Sequence, residues 1–191
     1  MTPAHPVGVY CEKNLQKWRR FNIQYCNHLN WPSSNLIVMA NTYTQIHYQF
    51  VFATRYRNAF IHYSWKEELH KFITGTVQRY EHKMLQINSM PDHIHLLIGM
   101  RPHQSVSELI KSVKSESTKW INEKKFCPGK FAWQEGFAAF SYSYEHITNV
   151  AGYIARQEEH HRKILFRDEY RQMLKESAIE FDEKYIFSDP E

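Results

Sequence analysis

One stretch constrains the fold more than any other, because it places two histidines inside an apolar run that begins at Met90 and ends at Gly99. A short apolar run between a Pro-Asp turn and a glycine predicts a buried β-strand. Successive side chains of a strand point to opposite faces, so His93 and His95 share one face while Ile94 lies on the other. Two neighbouring imidazoles on one face provide half of a metal site.

The rest of the chain alternates between the hydrophobic periods of strands and helices. Strands are predicted within 42–54, 83–89, 93–100 and 131–144, and helices within 64–81, 105–125, 147–163 and 166–176. This order is βαββαβ followed by helices, which predicts an α+β fold: a ferredoxin-like sandwich with an antiparallel sheet and additional C-terminal helices. The histidine strand is the third, so we expect it at the centre of the sheet, with its histidines on whichever face the helices leave open.

Length and composition indicate one domain with one core, since the chain has 191 residues, of which 42% are hydrophobic. Residues 1–38 contain three prolines and show poor periodicity, which predicts an N-terminal extension preceding a domain at 39–191. A basic cluster at 17–20 leaves a nucleic-acid-binding arm as the alternative. Three cysteines without a CxxC motif, and no run near the ~18 apolar residues of a membrane span, predict a cytoplasmic protein without membrane contact.

A second group of polar residues lies on the predicted helix at 147–163. Tyr153 and Gln157 are four residues apart, so a helix would place them one above the other, about 6 Å along the axis. A phenol and an amide would then face one target, although Tyr153 could equally be a core aromatic beside Val150. His160 and His161 follow closely enough to compete with Gln157 as metal ligands.

The predicted helix at 105–125 separates an apolar face from a stripe of cations and small hydrogen-bonding residues. Such a stripe is either a track for phosphates or an ordinary solvated face, and the excess of 24 Lys and Arg over 20 Asp and Glu permits a polyanionic partner. Trp133 could stack on an unpaired base or pack in the core. The candidate DNA-binding residues are Lys111, Lys114, Ser115, Lys125 and Trp133.

Together these motifs resemble the single-tyrosine HUH transposases, small enzymes of bacterial and archaeal insertion sequences that cut single-stranded DNA. The resemblance runs from about residue 39 to 187 and rests on Met90-Pro91-Asp92-His93-Ile94-His95-Leu96-Leu97, Lys119-Trp120-Ile121-Asn122, Trp133-Gln134-Glu135-Gly136 and the segment 153–161. It implies that Tyr153 is the nucleophile. It also implies that His93, His95 and Gln157 hold a divalent metal, and that a homodimer acts on single-stranded DNA with hairpin ends through a 5′-phosphotyrosine.

The chemistry of these residue types agrees with the implied reaction. A tyrosine with a pKa of ~10 is a weak nucleophile at neutral pH. A divalent ion on the scissile phosphate would compensate by stabilising the negative charge that develops on its oxygens. Two imidazoles and an amide carry no negative charge and therefore admit a phosphate, and either Mg or Mn fits them. The sequence contains no GxxxxGK[ST] loop, so we expect no nucleotide cofactor.

Three other functions fit parts of the same pattern. A ferredoxin-like module can bind single-stranded nucleic acid without catalysis. A metal-dependent hydrolase would use a bound water, and Tyr153 would then be structural. A replication initiator or relaxase would share the tyrosine chemistry, but it is disfavoured by the short chain.

Overall fold

An antiparallel four-stranded sheet organises the part of the chain that the computed structural model describes, residues 43–58 and 60–186. Its strands are β1 (Ile46–Ala53), β2 (Lys83–Ser89), β3 (His93–Met100) and β4 (Ala138–Ser141). The spatial order is β2-β3-β1-β4 and every pairing is antiparallel, so β1 and β3 are central. This is the ferredoxin-like arrangement that the sequence predicts. The predicted extension at 1–38 lies outside the described residues.

Two long helices cover one face of the sheet, and shorter C-terminal helices follow β4. The helices are α1 (Tyr63–Arg79), α2 (Val106–Lys124), α3 (Ile147–Ala155), α4 (Gln157–His160), α5 (Phe166–Glu176) and α6 (Glu183–Ile186). Among these described helices, none has both the length and the apolar character needed to cross a membrane.

The alternation of side chains along β3 divides its residues between two cores. Ile94, Leu96 and Ile98 pack with the apolar faces of α1 and α2. Leu97, on the opposite face, packs against Val150 and Ile154 of α3. The face that carries the histidines is therefore not open, contrary to expectation, because apolar side chains of the C-terminal helices bury it.

Both long helices begin with a side chain that caps a free backbone N–H. Ser105 and Glu108 form a capping box at the start of α2, as the two residues' spacing indicates. At α1, Ser64 and Glu67 have the spacing of a capping box, but the N-cap is His62. Its backbone is extended, and its imidazole accepts a hydrogen bond from the Ser64 N–H.

The predicted helix at 147–163 is interrupted at Arg156, whose backbone (φ −97°, ψ 21°) leaves the helical region. The last carbonyls of α3 therefore need partners other than the next helical turn. Asn88 of β2 supplies them, since its amide donates to the carbonyls of Ile154 (2.9 Å) and Ala155 (3.2 Å). Asn88 pairs with His95 across the sheet, so this contact fixes the end of α3 beside the histidine strand.

His70 on α1 is a buried histidine outside the candidate site, 8% exposed, with its Nε2 2.9 Å from the Ser89 hydroxyl. Burial, aided by the charge of Lys66, lowers the pKa of His70 from 6.5 to about 4.

The His70 imidazole of the unfolded chain binds a proton more readily than that of the folded protein. Its contribution to stability is therefore fully present above pH 6.5 and is lost as the pH falls towards 4. Between about pH 7 and 4.5 this amounts to roughly 2–3 kcal/mol. Urea unfolding at both pH values should show that His70→Gln loses less stability than wild type on acidification, by that amount. Equal losses in the two proteins would contradict this prediction.

Candidate metal and nucleophile site

Four side chains with metal-binding atoms converge on the face of β3 that the C-terminal helices cover. His93, His95, His161 and Glu169 each offer one atom, and these atoms all lie within 4.8 Å of one another. Ligand atoms around one tetrahedral ion are separated by about 3.3 Å, as follows from metal–ligand distances of about 2.0–2.1 Å. The cluster is thus close to the size that one ion requires. His161 belongs to it, whereas His160 does not.

His93 is oriented by the turn that precedes its strand. Its Nδ1 lies 2.7 Å from the Asp92 carboxylate, and its ring stacks on Phe166 at 3.9 Å between centroids. Burial alone would raise the pKa of Asp92, but the hydrogen bond with His93 holds it below its usual value. A carboxylate on one imidazole nitrogen directs the other towards a metal. The Nε2 of His93 accordingly faces the cluster, 3.0 Å from the Nε2 of His161.

His95 is fully buried, and burial lowers its pKa to about 3. The imidazole is therefore neutral at pH 7 and has a lone pair to offer. Its Nε2 lies 3.7 Å from Glu169 Oε2 and makes no hydrogen bond within the described part of the chain. A buried nitrogen without a hydrogen-bond partner is costly unless something else binds it.

Gln49 decides which ring nitrogen of His95 carries the proton. The Gln49 amide nitrogen lies 3.1 Å from His95 Nδ1, and its oxygen accepts from the Tyr142 hydroxyl at 3.1 Å. In that orientation Nδ1 is the acceptor and Nε2 holds the proton. Metal binding through Nε2 requires the reverse, with the amide turned so that its oxygen accepts from Nδ1–H and its nitrogen donates to Tyr142.

Glu169 of α5 connects the histidines to the predicted nucleophile. Its Oε1 accepts hydrogen bonds from the Tyr153 hydroxyl and from the Gln157 amide (2.9 Å), while its Oε2 lies 3.1 Å from His161 Nε2. The residue is only 3% exposed, and burial alone would raise the carboxyl pKa. The close approach of His161 and the hydrogen bonds from Tyr153 and Gln157 outweigh burial and lower the pKa, so the carboxylate stays ionised.

Tyr153 lies on α3 with its ring edge-on to His95, at 6.2 Å between centroids. Burial raises the pKa of the phenol, and the negative charge of Glu169 raises it further. The phenol is therefore neutral in this arrangement. It borders a cavity of about 280 Å³ that is also lined by Tyr142, His160 and Glu169.

Gln157 begins α4 and is fully buried. Its amide nitrogen is bound to Glu169, but its Oε1 has no hydrogen-bond partner among the described residues. The break at Arg156 alters the predicted one-above-the-other placement of Tyr153 and Gln157, yet both still reach one target, which is Glu169. The Gln157 oxygen has a free lone pair, and His95 Nε2 has one once the Gln49 amide is turned to accept from Nδ1–H, so the residues present fit a divalent cation.

The predicted DNA-binding residues divide into an exposed group and a structural group. Lys111, Ser115 and Lys125 are exposed. The Lys114 ammonium donates to the carbonyls of Gln134 and Gly136, and burial lowers its pKa to about 8. Trp133 is 7% exposed, and its indole donates to Ser117. Burial of Trp133 argues against the prediction that it stacks on a base.

Sequence reasoning missed three residues that organise the site, namely Gln49, Asn88 and Glu169. Glu169 left a signal, because it follows Phe166 by three residues and precedes Met173 by four, inside the apolar stripe of α5. A carboxylate in such a stripe needs a buried partner. Gln49 and Asn88 left none, since polar residues on strands are common and their partners are distant in sequence.

Comparisons with known proteins place this arrangement in a family. Residues 42–157, more than half of the chain, match the family model described as IS200-like transposase. The crystal structure of a candidate transposase from Deinococcus radiodurans R1 is similar in fold, with a TM-score of 0.50 and 18% identity over 62% of this chain and 95% of that one. A REP-associated tyrosine transposase bound to a REP hairpin gives a TM-score of 0.49 at 14% identity, over 64% and 72%. No curated protein sequence matches the chain.

The family match contains the histidine strand and ends at Gln157, so it spans His93, His95 and Tyr153. It excludes His161 and Glu169, which the fold brings to the same place. The resemblance drawn from the sequence motifs is confirmed by this match. The chain belongs to the family of IS200-like transposases.

Proposed function

We propose that this transposase nicks and rejoins single-stranded DNA at hairpin-marked ends through a 5′-phosphotyrosine intermediate on Tyr153. The observation that carries the proposal is the meeting of the Tyr153 phenol and the His93–His95 pair around one buried carboxylate, Glu169. A nucleophile and metal-binding side chains in one place are what phosphoryl transfer requires. Membership of a transposase family supports DNA strand cutting as the reaction.

In the proposed step, the Tyr153 oxygen forms a bond to phosphorus while the bond from phosphorus to the 3′ oxygen breaks. The phenolic proton is released, with Glu169 Oε1 as its first acceptor, and the departing oxygen gains a proton to become a 3′ hydroxyl. Rejoining is the reverse reaction, in which a 3′ hydroxyl attacks the phosphotyrosine and the phenol is released. The covalent link retains the energy of the broken phosphodiester bond, so rejoining needs no nucleotide cofactor.

His93, His95 and Gln157 are the residues we propose as ligands of a divalent metal, Mg or Mn. Such an ion would stabilise the charge on the phosphate oxygens and offset the negative charge of Glu169. That charge raises the pKa of the Tyr153 phenol, so the chain's own residues keep the nucleophile neutral until the carboxylate is compensated.

We expect DNA to approach through the cavity beside Tyr153. Glu169 and Glu176 line it, so a phosphate would meet negative charge there. We therefore expect productive DNA binding to depend on a divalent cation. The homodimer that the family resemblance implies stays a prediction. Tyr153 and His95 of a single chain already lie side by side in this structure.

The direct test incubates the full chain with end-labelled hairpin oligonucleotides and Mn²⁺ and separates the products on a denaturing gel. We expect a protein–DNA adduct together with a fragment that ends in a 3′ hydroxyl, and neither after chelation of the metal. A metal-dependent hydrolase would give cut DNA without attached protein. A non-catalytic binding module would shift the oligonucleotide on a native gel without cutting it. Either result would contradict the proposal.

The exposed cations of α2 should contribute to DNA affinity through phosphates. We expect Lys111→Ala combined with Lys125→Ala to weaken hairpin binding and to reduce the magnitude of the slope of log K against log salt by about 1.4, at roughly 0.7 for each of two phosphate contacts on single strands. Lys114→Ala is the contrasting variant, because Lys114 holds backbone carbonyls and should affect stability rather than the salt slope. Binding isotherms at two salt concentrations decide this, and an unchanged slope in the double variant contradicts it.

A further inference from the structure

We propose that His161 and Glu169 complete the metal site of the DNA-free protein, so that three imidazoles and one carboxylate bind one divalent transition-metal ion. Both residues lie beyond position 157, where the family match ends. The inference deepens the proposed function, since it assigns two further ligands and an ion class to the same site.

The three imidazoles present the same atom to the cluster, because each has its other nitrogen engaged elsewhere. The Nδ1 of His93 is held by Asp92 at 2.7 Å and that of His95 by Gln49 at 3.1 Å. The Nδ1 of His161 lies 3.0 Å from the Ile164 carbonyl oxygen, to which it can only donate. A donated Nδ1–H leaves Nε2 as the lone-pair atom of a neutral ring. With the Gln49 amide turned so that its oxygen accepts from His95 Nδ1–H, all three Nε2 atoms offer a lone pair to the same cluster.

The carboxylate of Glu169 divides its two oxygens between two tasks. Oε1 is occupied by Tyr153 and Gln157, which orients the group. Oε2 is directed at the imidazoles and lies 3.1, 3.7 and 3.9 Å from the Nε2 atoms of His161, His95 and His93. Four donor atoms that turn lone pairs towards one poorly exposed point repel a phosphate and favour a cation there.

Packing holds both added ligands in place. The N–H of His161 donates to the Gln157 carbonyl at 2.9 Å, which continues the turn of α4. Phe166 and Leu174 of α5 are buried against β1 and β4, and Phe166 also stacks on His93. Glu169 lies between them on the same helix, so its carboxylate is fixed over the sheet before any ion binds.

The donor set selects the class of ion. Imidazole nitrogens suit zinc, cobalt and related transition metals, whereas magnesium demands near-octahedral oxygen ligands. Three nitrogens and one oxygen therefore favour Zn²⁺ or Co²⁺ over Mg²⁺. In the DNA-free protein Gln157 acts as a positioning residue, through its hydrogen bond to Glu169 Oε1.

The first test titrates Co²⁺ into the full-length protein without DNA and follows the visible d–d absorption. We expect saturation at one ion per chain, with the intense absorption of a four-coordinate site. We also expect Zn²⁺ to displace the Co²⁺ and excess Mg²⁺ to leave it bound. A weak, octahedral-type spectrum, or displacement by Mg²⁺, would overturn the inference without any variant being made.

The second test compares variants that keep their fold by circular dichroism. His161→Asn and Glu169→Gln should each weaken Co²⁺ and Zn²⁺ binding at least about 100-fold, and Gln157→Leu about 10-fold, as for an outer-shell residue. His103→Asn and Glu159→Gln remove the same groups at exposed positions and should bind as wild type. Wild-type affinity in His161→Asn and Glu169→Gln would overturn the inference.

The two proposals fail separately. If Gln157→Leu and His95→Asn lose the ion while the His161 and Glu169 variants keep it, the ligand set of the proposed function stands and the added ligands are wrong. If Co²⁺ binding depends on His161 and Glu169 but no protein–DNA adduct forms on any hairpin, the added ligands stand and the nicking function is wrong.

Discussion

Replacing Tyr153 with phenylalanine should abolish the covalent protein–DNA adduct and reduce strand cleavage at least about 1,000-fold, since loss of a covalent nucleophile removes most of the catalysed rate. The substitution deletes one oxygen and keeps the ring that packs beside His95. Hairpin binding should therefore remain within a few-fold of wild type. Quenched time courses on denaturing gels, with binding followed by fluorescence anisotropy, measure both quantities.

Tyr142→Phe is the matched control for the nucleophile, because Tyr142 is a second phenol on the wall of the same cavity. That variant should still form the adduct, although its lost bond to Gln49 is expected to slow the reaction. Tyr153→Phe also leaves Glu169 Oε1 with one donor fewer, which costs about 1–3 kcal/mol for a buried acceptor, so stability must be measured alongside. An adduct that persists in Tyr153→Phe would assign the nucleophile elsewhere.

The second large effect is expected from His95→Gln, which should reduce metal-dependent cleavage at least about 100-fold because a ligand nitrogen is lost from a buried site. The Nε2 of His95 has no hydrogen-bond partner among the described residues, so no hydrogen bond compensates for its burial. Raising the Mn²⁺ concentration should restore only part of the rate. Initial rates across a Mn²⁺ titration provide the measurement.

His70→Gln is the control for His95→Gln, since it removes another buried imidazole, one that lies outside the metal cluster. It should cleave at close to the wild-type rate at neutral pH, where His70 is uncharged in the folded protein. Comparable losses in both variants would show that burial of an imidazole, rather than metal binding, explains the effect at His95.

The strands were predictable because their signals are local. The observed bounds of β2 and β3 coincide with the predicted 83–89 and 93–100, where a Pro-Asp turn separates two segments with the right composition. The break at Arg156 was not predictable from periodicity. It depends on Asn88, whose amide takes the carbonyls that a longer α3 would have used internally.

Side-chain spacing selected residues that the fold brings together, but it did not predict the surroundings that define their chemistry. Tyr153 and His95 were selected from a helix and a strand far apart in sequence, and the fold brings them together. Burial and the neighbouring Glu169 carboxylate, to which the phenol donates, raise the pKa of Tyr153 above its ordinary value, and spacing alone did not predict this shift. His161, rather than His160, reaches the cluster because the turn after α4 directs it there.

From the sequence alone, the order of elements and the shared face of His93 and His95 were determined, because both depend on periods of two or 3.6 residues that local sequence carries. The central position of β3 followed from that order. Which groups meet on that face was decided only by tertiary structure. Burial under α3 and α5 removes water from the histidines and sets Glu169 among them. That depends on packing between segments about 70 residues apart, which no local period encodes.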